Sequence, residues 1–211
     1  MEAVFPKVVF TVFGIPIRDT VISTWIMMAV IVVLARFVAK ERPALLEMLI
    51  EFVSDTAASV MNVSVKPYIP MLGTLVIFIA VANNFSILPA VTSPTRDINT
   101  PLALALVVFF SVHYYGAREK GIWGYIKDLA SPIFMLPLEL IGQFSRTLSL
   151  TLRLFGNIVS GEIVVAVIFS LVPPVAPLPL IGLSLITGVL QAYIFTVLAS
   201  LYIGSAVEET S

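Results

Sequence analysis

The sequence is poor in charged residues, has no cysteine and has a single histidine. Lysine, arginine, aspartate and glutamate together make up 12% of its 211 residues, whereas soluble domains carry roughly a quarter of their residues as charges. The absence of cysteine excludes disulfides and thiolate metal sites, and one histidine cannot form a histidine-based metal cluster. A G-x-x-x-x-G-K-[ST] phosphate loop and a basic patch are also missing. We therefore expect no cofactor, no nucleotide held by that loop and no nucleic-acid partner.

Long apolar runs take the place of the missing charges. The chain is 59% hydrophobic with a mean hydropathy of +1.04, which indicates a polytopic membrane protein. A spanning helix needs about 20 mainly apolar residues, and five segments can supply them. We predict an all-α membrane protein of one domain, 1–211, without a cleaved signal peptide. Its predicted membrane-embedded helices lie at about 20–38, 70–90, 100–117, 131–172 and 180–207.

The segment 43–63, between the first and second spans, has a different pattern. Its polar side chains form one narrow stripe at 3.6 residues per turn, surrounded by leucine, isoleucine, valine, phenylalanine and methionine. Three acids would make a further span costly, so we predict an amphipathic helix at the membrane interface. The stripe consists of Glu47, Glu51, Ser54, Asp55 and Asn62.

The positions of lysine and arginine predict the orientation. Loops on the cytoplasmic side of a membrane protein carry the excess of these residues. One set of loops has Arg36, Lys40, Arg42, Lys66, Arg118, Lys120 and Lys127, and the opposite set has Lys7, Arg18 and Arg96. The N-terminus is therefore predicted outside and the C-terminus in the cytoplasm.

The fourth segment is too long to cross a bilayer upright. No proline interrupts it between Pro137 and Val172, and at 1.5 Å per residue such a helix would be about 54 Å long. The hydrocarbon core is about 30 Å thick. We therefore predict that this helix and the long fifth one are steeply tilted.

Four charged residues lie on the fourth segment: Glu139, Arg146, Arg153 and Glu162. Each charge at mid-bilayer costs about 2.5–3.5 kcal/mol. Glu139 and Arg146 lie near a helix end, where snorkelling to the interface is an equally good explanation. Arg153 lies near the middle, about 13 Å along the axis from Glu162 and about 21 Å from Glu139. Neither acid can easily pair with it, so we expect its partner in another protein or across a water-filled cavity.

Residue chemistry indicates different roles for these charges. Arginine does not deprotonate in proteins, so Arg153 suits a fixed positive barrier that discharges a passing carboxylate. Glu162 is predicted toward the outer side and Glu139 toward the inner side. Two titratable acids separated by a permanent cation are typical of two half-pathways that must not connect directly.

Polar residues on other helices add weaker signals. Ser184, Thr187 and Gln191 share one face of the fifth segment, with Gln191 expected deeper than the other two. Helix–helix adhesion is the alternative explanation for all three. Adhesion is the preferred interpretation for the paired Asn83 and Asn84. His113 is more simply a satisfied interfacial histidine than part of a proton relay.

Two sequence blocks carry a family resemblance. "LRLFGNIVSGE" (152–162) resembles the LRLFGN-x-x-x-GE signature of the a subunit of F-type ATP synthases. "LQAYIFTVLASLYI" (190–203) is similar to that family's second conserved segment, and "ANNFSILP" (82–89) is a weaker third match. The resemblance covers most of the chain from about residue 18.

The resemblance implies specific roles. Arg153 would be the essential arginine that faces the rotating ring of c subunits, whose carboxylates would be its missing partner. Glu162 would belong to the outer half-channel and Glu139 to the inner one, with Asn157 and Gln191 near the arginine. Ser184 stands where some relatives have a histidine, so hydroxyls or water would have to complete the outer path. The family also implies peripheral-stalk b subunits, lipid and protons as partners in a bacterial plasma membrane.

Two other functions remain open from the sequence. A proton-coupled secondary transporter would use similar buried charges, although such proteins usually contain inverted repeats, and we find none. A purely structural assembly subunit is the third reading. The sequence leaves the choice between H⁺ and Na⁺ open as well.

Overall fold

The computed structural model describes residues 8–12, 15–85, 93–129, 136–171 and 178–208. Within these ranges the chain forms a β-hairpin, seven α-helices and one 3₁₀ turn. In chain order they are β1 (Val8–Val12), β2 (Ile15–Arg18), α1 (Asp19–Glu41), α2 (Pro43–Ala58), α3 (Ile69–Asn84), the 3₁₀ turn (Pro94–Arg96), α4 (Asn99–Lys120), α5 (Ile122–Leu129), α6 (Leu136–Leu171) and α7 (Leu178–Val207).

The helical membrane architecture predicted from hydropathy is confirmed. Among the described helices, four are long and apolar enough to cross a membrane: α1, α4, α6 and α7. Helix α3 is apolar but has only 16 residues, fewer than the roughly 20 that a span needs. The count of five spans is therefore not established, and 86–90 of the predicted span 70–90 lie outside the described residues. The predicted interfacial helix exists as α2 but ends at Ala58, before Asn62.

Two described elements were not predicted. Strands β1 and β2 pair antiparallel ahead of α1, with Thr11 opposite Pro16. The short helix α5 follows α4 after a break at Gly121. The φ of this residue is +74°, a backbone conformation that glycine adopts more readily than other residues. The all-α expectation therefore applies to the helical body and not to the strands that precede it.

Local sequence signals explain where several helices begin and end. Helix α1 has Asp19 in its first turn and Lys40 in its last turn, which complements the helix dipole at both ends. Helix α2 begins with Pro43, a residue whose fixed φ suits the first helical position.

The core forms where α7 packs against α3 and α4. Its buried residues recur every three or four positions along α7, as one face of a helix requires. Close approach to α3 depends on Gly188, because a Cβ added there would lie 2.9 Å from Asn84 Oδ1. The Asn83 amide also donates a 3.0 Å hydrogen bond to the Gly188 carbonyl. The buried apolar face of α7 comprises Ala192, Phe195, Ala199, Ile203 and Val207.

Helix α6 is the longest element and is mostly exposed. Its 36 residues correspond to about 54 Å of helix, which confirms the predicted uninterrupted length. Only one face of α6 is buried, and it carries Gln143, Leu150, Thr151, Leu154 and Ile158. Nearly all of the remaining surface of this helix is therefore open to lipid or to a partner protein.

A polar network anchors the turn between α3 and α4. Asp97 is 4% exposed and accepts a 2.7 Å hydrogen bond from Arg18. It also accepts bonds from the Thr20 hydroxyl and from the backbone and side chain of Asn99. Burial raises the pKa of the Asp97 carboxyl, but these donors outweigh burial and hold the pKa below its ordinary value. The turn is thereby tied to the start of α1.

Asp97→Asn is expected to destabilise the protein at neutral pH. A hydrogen bond to a charged group contributes about 1.5–3 kcal/mol, and the amide cannot replace the carboxylate that Arg18 contacts. Because folding lowers the pKa of Asp97, its contribution is full above about pH 4 and is lost as the pH falls through the folded-state pKa. The thermal aggregation midpoint of the detergent-solubilised protein should therefore be lower for the variant than for wild type at pH 7. This difference should shrink in acid. Exposed Asp55→Asn is the control, and equal midpoints at pH 7 would contradict the prediction.

Candidate functional site

A cavity of about 700 Å³ lies among α3, α6 and α7. Its polar wall carries Glu162 and Asn157 from α6 together with Ser184 and Thr187 from α7. Asn83 and Asn84 close it from α3, and Ser184 Oγ lies 3.5 Å from the position of a Cβ added to Gly161. Ser184 and Thr187 thus share one cavity with Glu162. Space on this scale admits water, since one molecule needs only about 10–15 Å³.

Glu162 pairs with a cation that was predicted only as a loop charge. Arg96 Nε lies 3.2 Å from Glu162 Oε2, and the two side chains are 11% and 27% exposed, respectively. Arg96 ends the 3₁₀ turn that the Asp97 network anchors. The carboxylate is therefore held from the neighbouring turn and not by Arg153.

Arg153 lies on the open side of α6. Its side chain is exposed, and no carboxylate of the described ranges lies within salt-bridge distance of it. The expectation that neither Glu162 nor Glu139 pairs with Arg153 is met, because the two acids pair with Arg96 and Arg146, respectively. Arg153 is not buried because the packed face of α6 lies to one side of it. The surrounding surface has small exposed residues, Ser149, Gly156 and Ser160.

Asn157 connects the cavity to the neighbourhood of Arg153. The two residues are four apart on α6, so they are neighbours on adjacent turns, about 6 Å apart along the axis. Asn157 lines the cavity. Gln191 does not belong to the cavity wall; it is buried on α7, and its Nε2 has no hydrogen-bond partner.

A second polar cluster surrounds Glu139 near the start of α6. Glu139 Oε1 lies 3.7 Å from Arg146 Nη1 and accepts a 3.4 Å hydrogen bond from Gln143. The Arg146 guanidinium also lies over the ring of Tyr202, 5.4 Å from its centre, a favourable cation–π contact. Glu139 and Arg146 thus lie on one face of α6, two turns apart, within ion-pair distance.

His113 lies in the wall of a small cavity beside this cluster. The cavity measures about 20 Å³ and is also lined by Gln143, Arg146 and Tyr202. Nδ1 of His113 lies 2.8 Å from the Phe109 carbonyl oxygen, and the imidazole packs on the Phe109 ring. These contacts agree with a satisfied interfacial histidine.

At the level of sequence, another role was given to two residues that line the cavity, Asn83 and Asn84, and to Arg96, which pairs with Glu162 beside it. Asn83 holds α3 against α7 through its hydrogen bond to Gly188, as predicted. Both Asn83 and Asn84 also line the cavity. In the sequence, Arg96 contributes only to the count of loop cations that predicts the orientation of the chain in the membrane. One sequence signal pointed to a partner such as Arg96. Glu162, like Arg153, is a charged residue on an apolar helix and therefore requires a counter-charge.

Comparisons with known proteins identify the family of this chain. Residues 21–204 match the family described as ATP synthase A chain. "ATP synthase subunit a 2" of Bradyrhizobium sp. is 44% identical over 206 residues, which cover 94% of this chain and 92% of that protein. "ATP synthase subunit a 2" of Picosynechococcus sp. is 42% identical over 90% of this chain and 86% of its own length. "ATP synthase subunit a" of Nitrosospira multiformis is 36% identical over 96% and 85%. This chain belongs to the ATP synthase A chain family.

Proposed function

We propose that this chain is the ion-conducting stator subunit of a rotary F-type ATP synthase. It forms two half-channels against a ring of c subunits and couples proton translocation to rotation of that ring. ATP chemistry takes place elsewhere in the complex, so the chain itself is not an enzyme. Family membership makes this role preferable to a proton-coupled secondary transporter.

The exposed position of Arg153 is the observation that carries the proposal. An unneutralised guanidinium on an apolar helix is costly in lipid, so a visiting anion must compensate for it. Ser149, Gly156 and Ser160 surround it with short side chains, which allow another helix to come close. A ring carboxylate on such a helix would meet Arg153 and lose its proton.

The Glu162 cavity is the proposed outer half-channel. It offers a carboxylate, amides and hydroxyls within one space, so a proton can move through water to Glu162 although Ser184 stands where some relatives have a histidine. Asn157 leads from the cavity toward Arg153. We propose that Gln191 lies at the deep end of the same path, beyond the cavity wall, where its unpaired amide nitrogen meets a passing group.

The Glu139 cluster is the proposed inner half-channel. Its carboxylate is bound by Arg146 and Gln143, and His113 lies nearby with a minor role at most. We place the side with Glu139, α2 and the C-terminus in the cytoplasm, and the 93–99 turn outside. In this arrangement 1–211 forms one membrane domain in the bacterial plasma membrane, with c subunits, b subunits and lipid as partners.

A cysteine at Ser184 tests whether the cavity conducts. The chain has no native cysteine, so in Ser184→Cys a membrane-impermeant thiol reagent added on the outer side modifies this chain at one position only. We expect modification to remove most of the proton flux through reconstituted complexes, because the reagent fills the path beside Glu162.

Leu183→Cys is the matched control. Leu183 is the preceding residue of α7, is 57% exposed and does not line the cavity. Flux through this variant and through the cysteine-free chain should be insensitive to the reagent. Complete modification of Ser184→Cys with unchanged flux would exclude the cavity as the conducting path.

A further inference from the structure

Arg96 is the charged group closest to the proposed outer acid. Its Nε lies 3.2 Å from Glu162 Oε2, and its side chain is only 11% exposed. Exposed ion pairs contribute little, but a pair with one partner this enclosed is screened much less by salt. The contact joins a turn outside the spans to the C-terminal half of α6, 66 residues further along the chain.

The turn that carries Arg96 is fixed on both sides of this residue. Asp97, the next residue, is held by Arg18 at 2.7 Å. The preceding Thr95 donates a 3.0 Å hydrogen bond to Asn83 Oδ1, and Ser93 donates one to the Ala82 carbonyl. These hydrogen bonds restrict the backbone at Arg96, and the Arg96 side chain is thereby directed to Glu162.

The other described groups around Glu162 are neutral. Helix α3 contributes asparagines and α7 contributes Ser184 and Thr187. On α6 itself, Arg153 is nine residues away on the opposite side of the helix. Asp97 is engaged by Arg18. Among the described groups that face the carboxylate, Arg96 is thus the one that carries charge.

We infer that Arg96 is a positioning residue of the outer half-channel, which favours the ionised form of Glu162, the form that accepts a proton from the cavity. This inference rests on the function proposed above. When a proton moves from water to a Glu162 oxygen, the carboxylate becomes neutral and its attraction to the guanidinium weakens. When the proton passes on to the ring carboxylate, the ion pair forms again. Arg96 keeps its own proton throughout, because arginine does not deprotonate.

The test measures how ATP synthesis depends on pH in the compartment that faces the 93–99 turn. Complete ATP synthase is reconstituted in liposomes with wild-type chain or with Arg96→Gln, Arg96→Lys or Arg96→His. An opposite charge within about 4–6 Å shifts a carboxyl titration down by about 1–3 pH units. We therefore expect the midpoint of the profile to move up by about 1–3 pH units in Arg96→Gln and to stay close to wild type in Arg96→Lys.

Arg96→His keeps the inference testable if the glutamine variant does not assemble. Its imidazole loses charge above about pH 6.5, so the profile should follow Arg96→Lys in acid and depart from it at higher pH. Arg118→Gln, which removes an exposed arginine at the end of α4, is the control and should leave the profile unchanged.

Unchanged midpoints in Arg96→Gln and Arg96→His would overturn the inference, as would a lysine variant that behaves like the glutamine variant. Glu162→Gln in the same assay separates this outcome from failure of the proposed function. An inactive Glu162→Gln beside unshifted Arg96 variants contradicts only the role of Arg96. Wild-type synthesis in Glu162→Gln contradicts the half-channel itself.

Discussion

Arg153→Ala is expected to abolish ATP synthesis driven by an ion gradient. Without the guanidinium, a ring carboxylate that enters the interface has no counter-charge when it loses its proton. A charge at mid-bilayer costs about 2.5–3.5 kcal/mol, and each 1.4 kcal/mol is a factor of ten in rate. Synthesis should therefore fall about a hundredfold or more, measured in membrane vesicles energised by a pH jump.

Arg153→Lys distinguishes a specific guanidinium from a simple positive charge. Lysine is a compact charge that can lose its proton when desolvated, so we expect this variant also to impair synthesis. Arg118→Ala, at an exposed arginine of α4, should retain synthesis. A purely structural assembly subunit predicts instead that Arg153→Ala leaves flux and coupling intact, and wild-type synthesis in the lysine variant would count heavily against the rotary mechanism.

Glu162→Gln is expected to remove proton flux through the outer half-channel. Glutamine has nearly the same shape and can still contact Arg96, but it cannot take up a proton and pass it on. ATP-driven pumping and passive flux through the membrane sector should both fall to background, because each direction uses the same carboxylate.

Glu119→Gln is the matched control for this prediction. Glu119 is exposed at the end of α4 and lies away from the cavity wall. Both variants should be present in the assembled complex at wild-type amounts. Pumping at the wild-type rate by assembled Glu162→Gln would mean that the proton path avoids this residue.

The helical body could be predicted from sequence because its signals are local. Runs of apolar residues determine α1, α4, α6 and α7, and a periodic polar stripe determines α2. The length of α6 followed from the absence of proline after Pro137. Charges inside an apolar helix also identified Arg153 and Glu162 without knowledge of any neighbour, because such charges are costly in lipid.

The remaining features depend on contacts between distant parts of the chain. The pair of Arg96 and Glu162 joins residues from a turn and a helix, and no local pattern specifies which loop cation meets which acid. Exposure of Arg153 could not be read from sequence either, because it depends on the face of α6 that α4 and α7 cover. The hairpin was missed because its strands are short and the first lacks a clear alternation of polar and apolar residues.

The width of the Glu162 cavity has a consequence for selectivity. A space of about 700 Å³ is far larger than the roughly 10–15 Å³ that one water molecule needs, whereas narrow pores discriminate between ions at the step where the ion loses its water. We therefore do not expect the cavity itself to distinguish H⁺ from Na⁺. Under the proposed function we expect the ions to be distinguished at the carboxylates that receive them, so exchanging c subunits between relatives should change ionic preference while this chain stays the same.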